Sequence, residues 1–321
     1  KGEGELPIRK LARTVYENNT DFSNIPNLFW RKNKKVILNN KKYVATNTDL
    51  DSFEFFNVKK MKNFDAYSKV PFFMEYSKEN QLNNPMTSQG VCLGRGCTGN
   101  CTWCGGGCDA MKVVTGRDCV SYRNPDNVIT EIKMLKEKCN LEIFRFTFDP
   151  NPQNRNHLIT LLEKIEKEFG GNLKTIFTLN SLPDKIFLDV FSKAFSKDST
   201  ILISPEFFSE DLRKFHKSFF FTNQELETTL DYMEKLKIHS EIYFAILPCV
   251  KEEENIKSEK YGRLLKNKYS TINKYYIIPI VYEPAAPWTI NPKKYNLDIE
   301  QRTFIDYYND TKAVKLSFEN I

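Results

Sequence analysis

Two hydrophobic periods alternate along most of this chain. Thr87–Cys92 reads as a short first strand. Asn127–Lys138 places Val128, Ile132 and Leu135 at helical spacing, with Pro125 at the start, where proline is tolerated. Leu141–Phe148 is a compact apolar run with Ile143, Phe144, Phe146 and Phe148, the mark of a strand. A helix follows with Leu158, Leu161, Leu162, Ile165 and Phe169, ending at Gly170–Gly171. The alternation continues with strand Leu173–Leu179, helix Pro183–Phe195 and strand Thr200–Ser204. Thr222 and Glu225 form a capping box for a helix to Leu236. Strand Ile238–Leu247, a lysine-rich helix around Ile256–Tyr269 and strand Ile272–Val281 complete the series. Repeated strand–helix units demand a parallel sheet with right-handed crossovers. About six such units fit either a doubly wound sheet or an incomplete TIM-like barrel. In both, chemistry collects at the C-terminal ends of the strands.

The region before the first of these strands is different. Leu28–Trp30 and Lys35–Leu38 predict a hairpin around Arg31–Lys34. Residues 47–85 are irregular and aromatic and read as a linker packed on something larger. The basic residues Arg31, Lys32, Lys34, Lys35, Lys41 and Lys42 gather near the hairpin, with Lys59, Lys60 and Lys62 further on. A solvated turn explains the first group better than a nucleic-acid surface, which would interleave base-stacking aromatics.

The chain has 321 residues, 40% hydrophobic and 27% charged, which excludes a disordered polypeptide. Its net charge of +6 is dilute over that length. The longest apolar stretch, Tyr275–Tyr282, is too short to cross a bilayer and contains Pro279. The start KGEGELPIRK is not a secretory signal, and Lys1 instead of Met implies processing or a piece of a longer chain.

Cysteine placement changes the picture most. Five of the eight cysteines fall between Cys92 and Cys108, and seven of the thirteen glycines between Gly90 and Gly107. A disulfide framework would spread its cysteines along the chain, so this pattern suggests a metal or cluster site in a reducing cytoplasm. The loop GVCLGRGCTGNCTWCGGGC contains Cys97, Cys101 and Cys104 in a Cys-x3-Cys-x2-Cys arrangement. A structural zinc would need a fourth ligand, for which Cys92 or Cys108 is available. An iron–sulfur cubane held by three cysteines leaves one iron open to another ligand.

This motif, with Trp103 just before the third cysteine and βα units after it, resembles the radical S-adenosylmethionine (SAM) superfamily. Gly2-Glu3-Gly4-Glu5, Ile25-Pro26-Asn27-Leu28 and the hairpin resemble the segment joining a cobalamin-binding domain to a radical SAM domain. Ser204–Arg213, Phe221–Glu225, Pro279–Pro284 and Asn291–Tyr295 are also similar to that cobalamin branch. The branch's Asp-x-His-x-x-Gly motif has no counterpart, because His157, His216 and His239 all lie in other contexts. The resemblance implies an α/β fold: a partial TIM-like (β/α)6 barrel of radical SAM type. Residues 81–321 would form this core with a C-terminal extension. Residues 1–80 would be a small lead-in region with the β-hairpin, the end of a possible upstream cobalamin domain.

The resemblance also implies the chemistry. Cys97, Cys101 and Cys104 would hold three irons of a [4Fe–4S] cluster, with the SAM amino and carboxylate groups on the fourth. An external donor such as flavodoxin or ferredoxin would reduce it, giving a 5′-deoxyadenosyl radical that abstracts hydrogen from a small-molecule or peptide substrate. Cofactor contacts are expected from Trp103 at the adenine, Gly105 and Gly106 by close approach, and Thr147 and Asp149 at the amino group. Ser204 and Glu206 would reach the ribose or methionine portion, and Arg213 the SAM carboxylate. Asp149-Pro150 can equally begin a turn, and Arg213 can equally be a solvated helix-start arginine. Cys249, after Pro248, is expected to be a loop cysteine, with hydrogen donation to a substrate the sharper alternative. Cobalamin-dependent methylation of an unactivated carbon is the leading reaction. A cobalamin-independent oxidoreductase and a zinc-stabilised binding module are the alternatives. A tRNA methylthiotransferase lacks support, because there is no second cysteine trio and no appended RNA-binding barrel.

Overall fold

The computed structural model describes residues 2–55, 60, 62, 88–139, 141–146, 155–299 and 302–310. Outside the main sheet lie the hairpin strands β1 (Phe29–Lys32) and β2 (Lys35–Leu38) and a short ribbon of β4 (Gly94–Arg95) with β5 (Ser121–Tyr122). The centre is a six-stranded sheet of β3 (Ser88–Gly90), β6 (Ile143–Phe146), β7 (Lys174–Leu179), β8 (Thr200–Glu206), β9 (His239–Ile246) and β10 (Ile272–Pro279). All neighbouring strands are parallel. Their order, β3-β6-β7-β8-β9-β10, is their order in the sequence. A doubly wound sheet would reverse direction part-way across. This one winds continuously one way, which makes it the incomplete barrel.

Amphipathic helices cover the sheet. In Arg155–Phe169, Leu158, Leu161, Leu162 and Ile165 are all buried. Each such side chain contributes roughly 1.5–3 kcal/mol when withdrawn from water. They pack with Phe144, Phe146, Phe177 and Leu179 of the strands in one continuous core. The helix ends at Gly170 and Gly171, both at positive φ. The helix Asn223–Leu236 begins with the expected capping box, in which the Thr222 hydroxyl and the Glu225 carboxylate bond reciprocally. A smaller cluster gathers Phe207, Leu247, Trp288 and Tyr295.

The lead-in region contains a helix that the sequence pattern did not announce, Glu5–Tyr16. The hairpin pairs β1 (Phe29–Lys32) with β2 (Lys35–Leu38), one residue later at its start than expected. Asn33 and Lys34 both have positive φ, as a tight hairpin turn requires. Glu3 rivets this region to the core. Its carboxylate accepts from Arg117 Nε at 2.7 Å and from the Ala45 amide at 2.8 Å. Arg117 also donates to the Ala45 carbonyl at 2.7 Å. The expected boundary at residues 80 and 81 lies outside the described residues. Among the described residues, no helix is long and apolar enough to cross a membrane.

Candidate active site

The cysteine loop follows β3 and therefore sits at the C-terminal edge of the sheet. Each of its three motif thiols accepts one backbone N–H. Gly99 donates to Cys97 Sγ at 3.3 Å, Gly106 to Cys104 Sγ at 3.3 Å, and Ser218 to Cys101 Sγ at 3.4 Å. Burial pushes the Cys101 thiol above its ordinary range. Cys104 is pushed up to about 12, first by burial, then by the Glu283 carboxylate and by Cys101 and Cys97. Cys104 therefore feels the other two motif sulfurs as well as Glu283, and their anions would repel, a cost that a cationic centre reverses. Among the described residues, no group of three or more His, Cys, Asp or Glu side chains stands closely enough to hold one metal ion.

Two remote segments grip the loop. On one side, the Thr102 N–H donates to the His216 carbonyl at 2.9 Å, and Thr102 Oγ1 lies 2.8 Å from His216 Nδ1. Ser218 Oγ accepts from the Asn100 N–H at 2.6 Å. On the other side, Glu283 Oε2 accepts from the Gly105 N–H at 2.5 Å, and the Trp288 N–H donates to the Thr102 carbonyl at 3.0 Å. A Cβ on Gly105 would stand 2.7 Å from the Pro284 carbonyl oxygen, so this position must be glycine. Gly106 differs: a Cβ there would meet Cys104 Sγ at 3.6 Å, an ordinary contact.

The remaining expected residues divide. Trp103 is half-buried and meets the Phe207 ring edge-on at 6.2 Å. Ser204 and Glu206 both end β8 and are buried. The β8–β9 register shifts between Ile203 and Glu206, and Glu206 takes φ +66°. Such a bulge re-aims a side chain. Lys217 Nζ lies 3.8 Å from Glu206 Oε1 and donates to the Ser204 carbonyl. Among the described residues, Glu206 Oε2 has no hydrogen-bond partner. Burial raises the Glu206 carboxyl to about 6, against the lowering pull of Lys217, Ser204 and Arg213.

Arg213 is corrected. It is fully buried, and its guanidinium donates to the carbonyls of Pro205 (3.0 Å), Phe221 (2.6 Å) and Phe207, and to Asn223 Oδ1 (2.7 Å). It is not the solvated arginine of the alternative reading, and its N–H groups are engaged by backbone carbonyls and Asn223. Its work is to brace the β8 end against the next helix. Thr147 and Asp149 lie outside the described residues. Cys249 packs at the margin of the smaller cluster with Trp103 and Tyr282. Sequence reasoning assigned no role to Glu283, His216, Lys217 or Ser218. The glycine run after Cys104 was the one available signal that something approaches closely there.

A superposable structure is the radical SAM methyltransferase TsrM from Kitasatospora setae with cobalamin and a [4Fe–4S] cluster bound. It shares 13% identity with a TM-score of 0.64, over 89% of this chain and 52% of that one. The same enzyme with tryptophan substrate and the SAM analogue aza-SAM gives 14% identity and a TM-score of 0.67, over the same shares. Methylornithine synthase (PylB) follows at 12% identity and a TM-score of 0.47, over 63% of this chain and 55% of that one. The chain spans about half the length of the TsrM structures. A search of curated proteins gives no match. The family model for the radical SAM superfamily matches residues 91–258, just over half of the chain. The β3 loop, the one-way parallel sheet and that match agree: the chain belongs to the radical SAM superfamily.

Proposed function

We propose that Cys97, Cys101 and Cys104 hold a [4Fe–4S] cluster with which this enzyme cleaves SAM. The observation that carries this is the arrangement of the three thiols. Each accepts a backbone N–H just after the first barrel strand, and the surroundings of Cys101 and Cys104 penalise their metal-free thiolates. The donor set fits the group: soft thiolate ligands suit iron–sulfur centres, and three of them leave one iron open. When bound, the cluster supplies the electron that splits the sulfonium of SAM into methionine and a 5′-deoxyadenosyl radical.

The chain's own residues orient and enclose. Gly105 lets the loop lie against the Glu283 side chain and the Pro284 carbonyl. Trp103 packs against the buried cluster of Phe207 and Trp288, which fixes the ring in place beside the cysteine loop. Ser204 and Glu206 are offered to the polar part of SAM, and the unpartnered Glu206 Oε2 is a ready acceptor for a hydroxyl. Trp103 and Gly106 are assigned to the SAM side of the loop. A flavodoxin- or ferredoxin-type protein is the proposed reductant.

For the subclass we propose methyl transfer to an unactivated carbon of a small molecule or peptide, with cobalamin. The support is the lead-in region: its motifs resemble the cobalamin branch. The likeness to TsrM covers about 286 residues, so it extends beyond residues 81–321. Anaerobic reconstitution with iron and sulfide, then SAM and dithionite, tests the first part. The protein should form 5′-deoxyadenosine, and Cys101→Ala should lose at least roughly 100-fold, the scale of a lost metal interaction. No iron uptake would sink the reading. Methyl transfer from labelled SAM that requires added hydroxocobalamin tests the second part, and turnover that proceeds without cobalamin favours a cobalamin-independent oxidoreductase.

A further inference from the structure

Two of the three motif thiols are served by their own loop. Cys97 and Cys104 accept from the amide two residues further on. Cys101 accepts from Ser218, 117 residues away. The fold, rather than the loop, therefore sets the surroundings of that one sulfur. The same turn fixes the peptide after it, because His216 engages Thr102 through both its carbonyl and Nδ1. Thr102 and His216 are 5% and 4% exposed, so water does not compete for these bonds.

We propose that Ser218 and His216 are positioning residues that set the reduction potential of the cluster through Cys101. The proposal rests on the cluster reading above. Reduction adds one electron from the donor and no proton, and part of the added charge falls on the thiolate sulfurs. An N–H aimed at a sulfur stabilises the reduced form more than the oxidised form and so raises the potential. His216 acts one step back: by holding Thr102 it keeps Cys101 Sγ under the Ser218 amide.

The test uses the full chain, reconstituted anaerobically, as wild type, Ser218→Pro, Ser218→Ala, Thr102→Val and Thr102→Ser. Iron and sulfide are counted first. A redox titration with dithionite and mediators, followed by electron paramagnetic resonance, then gives the midpoint. Ser218→Pro deletes the N–H. Lys217, at φ −112° and ψ 128°, already has the extended backbone that a following proline demands. At fixed ambient potential its reduced-to-oxidised ratio should fall about tenfold, which is 59 mV for one electron. Ser218→Ala keeps the N–H but loses the hydroxyl that accepts from Asn100, so its midpoint should move much less than that of Ser218→Pro. Thr102→Val should lower the midpoint in the same direction and alter the signal, and Thr102→Ser should restore both. Should Ser218→Pro fail to fold, the Thr102 pair decides alone. Wild-type midpoints and spectra in Ser218→Pro and Thr102→Val, at full iron content, overturn the proposal and leave the cluster reading intact. A wild type that takes up no iron overturns the cluster reading instead.

Discussion

The backbone N–H of Trp288 donates to the carbonyl of Thr102 at 3.0 Å. Thr102 lies between two motif cysteines near the start of the barrel, and Trp288 lies beyond its last strand. With Glu283 on the Gly105 amide, this bond closes the metal loop from the far edge of the sheet.

Glu283 should therefore control the chemistry of its neighbour Cys104. The carboxylate is one of the groups holding that thiol protonated. Glu283→Gln keeps a hydrogen-bond acceptor for Gly105 and removes the charge. The metal-free variant should carry roughly three- to tenfold more thiolate at Cys104 near pH 9. Iodoacetamide labelling read at Cys104 by mass spectrometry measures this, and equal labelling rates would refute it.

The two glycines after Cys104 should respond differently to alanine. In Gly105→Ala the new Cβ would collide with the Pro284 carbonyl, at 2.7 Å. Overpacking of this kind costs about 1–3 kcal/mol. Gly106→Ala meets only the 3.6 Å contact with Cys104 Sγ and should be near neutral. Urea unfolding of both variants decides, with similar midpoints counting against the close approach.

Arg213→Met should be among the most damaging single changes. It strands the carbonyls of Pro205, Phe207 and Phe221 in a buried site. The expected loss is about 3–5 kcal/mol. A variant of wild-type stability that fails only in SAM binding would return Arg213 to the ligand role.

Glu206 gives stability a pH dependence of definite sign. Its folded carboxyl is raised to about 6 from the usual 4.5, so folding favours the neutral form. That contribution is fully present below pH 4.5 and is lost as pH rises through 6. Between pH 4 and pH 7 the wild type should lose about 2 kcal/mol relative to Glu206→Gln. Denaturant titrations across this range check it, and parallel profiles for the two proteins would refute it.

Much of this architecture was legible because burial writes itself into spacing. Leu158, Leu161, Leu162 and Ile165 can share a face only on a helix, and Thr222 with Glu225 can cap only a helix start. The helix Glu5–Tyr16 escaped notice because it buries only Pro7 and leaves Ile8, Val15 and Tyr16 exposed. The cysteines stood out because three thiols at short spacing have few other uses. Their supports did not, because Ser218 acts through its backbone amide, which any residue but proline would supply. Arg213 misled for a related reason: an arginine in a short polar helix looks alike whether it faces solvent or three carbonyls.

The grip on the cysteine loop also imposes an order on biosynthesis. Asn100 finds its partner 118 residues later, and Gly105 finds its partner 178 residues later. The thiols leave the ribosome long before either clamp has been translated. Contacts so distant in sequence form late in folding, since a long loop must close before they reward it. The nascent chain therefore carries an open cysteine loop until the strand β10 and the segment through Trp288 have docked. Iron delivered before that moment meets flexible thiols, and iron delivered after it meets a finished cradle.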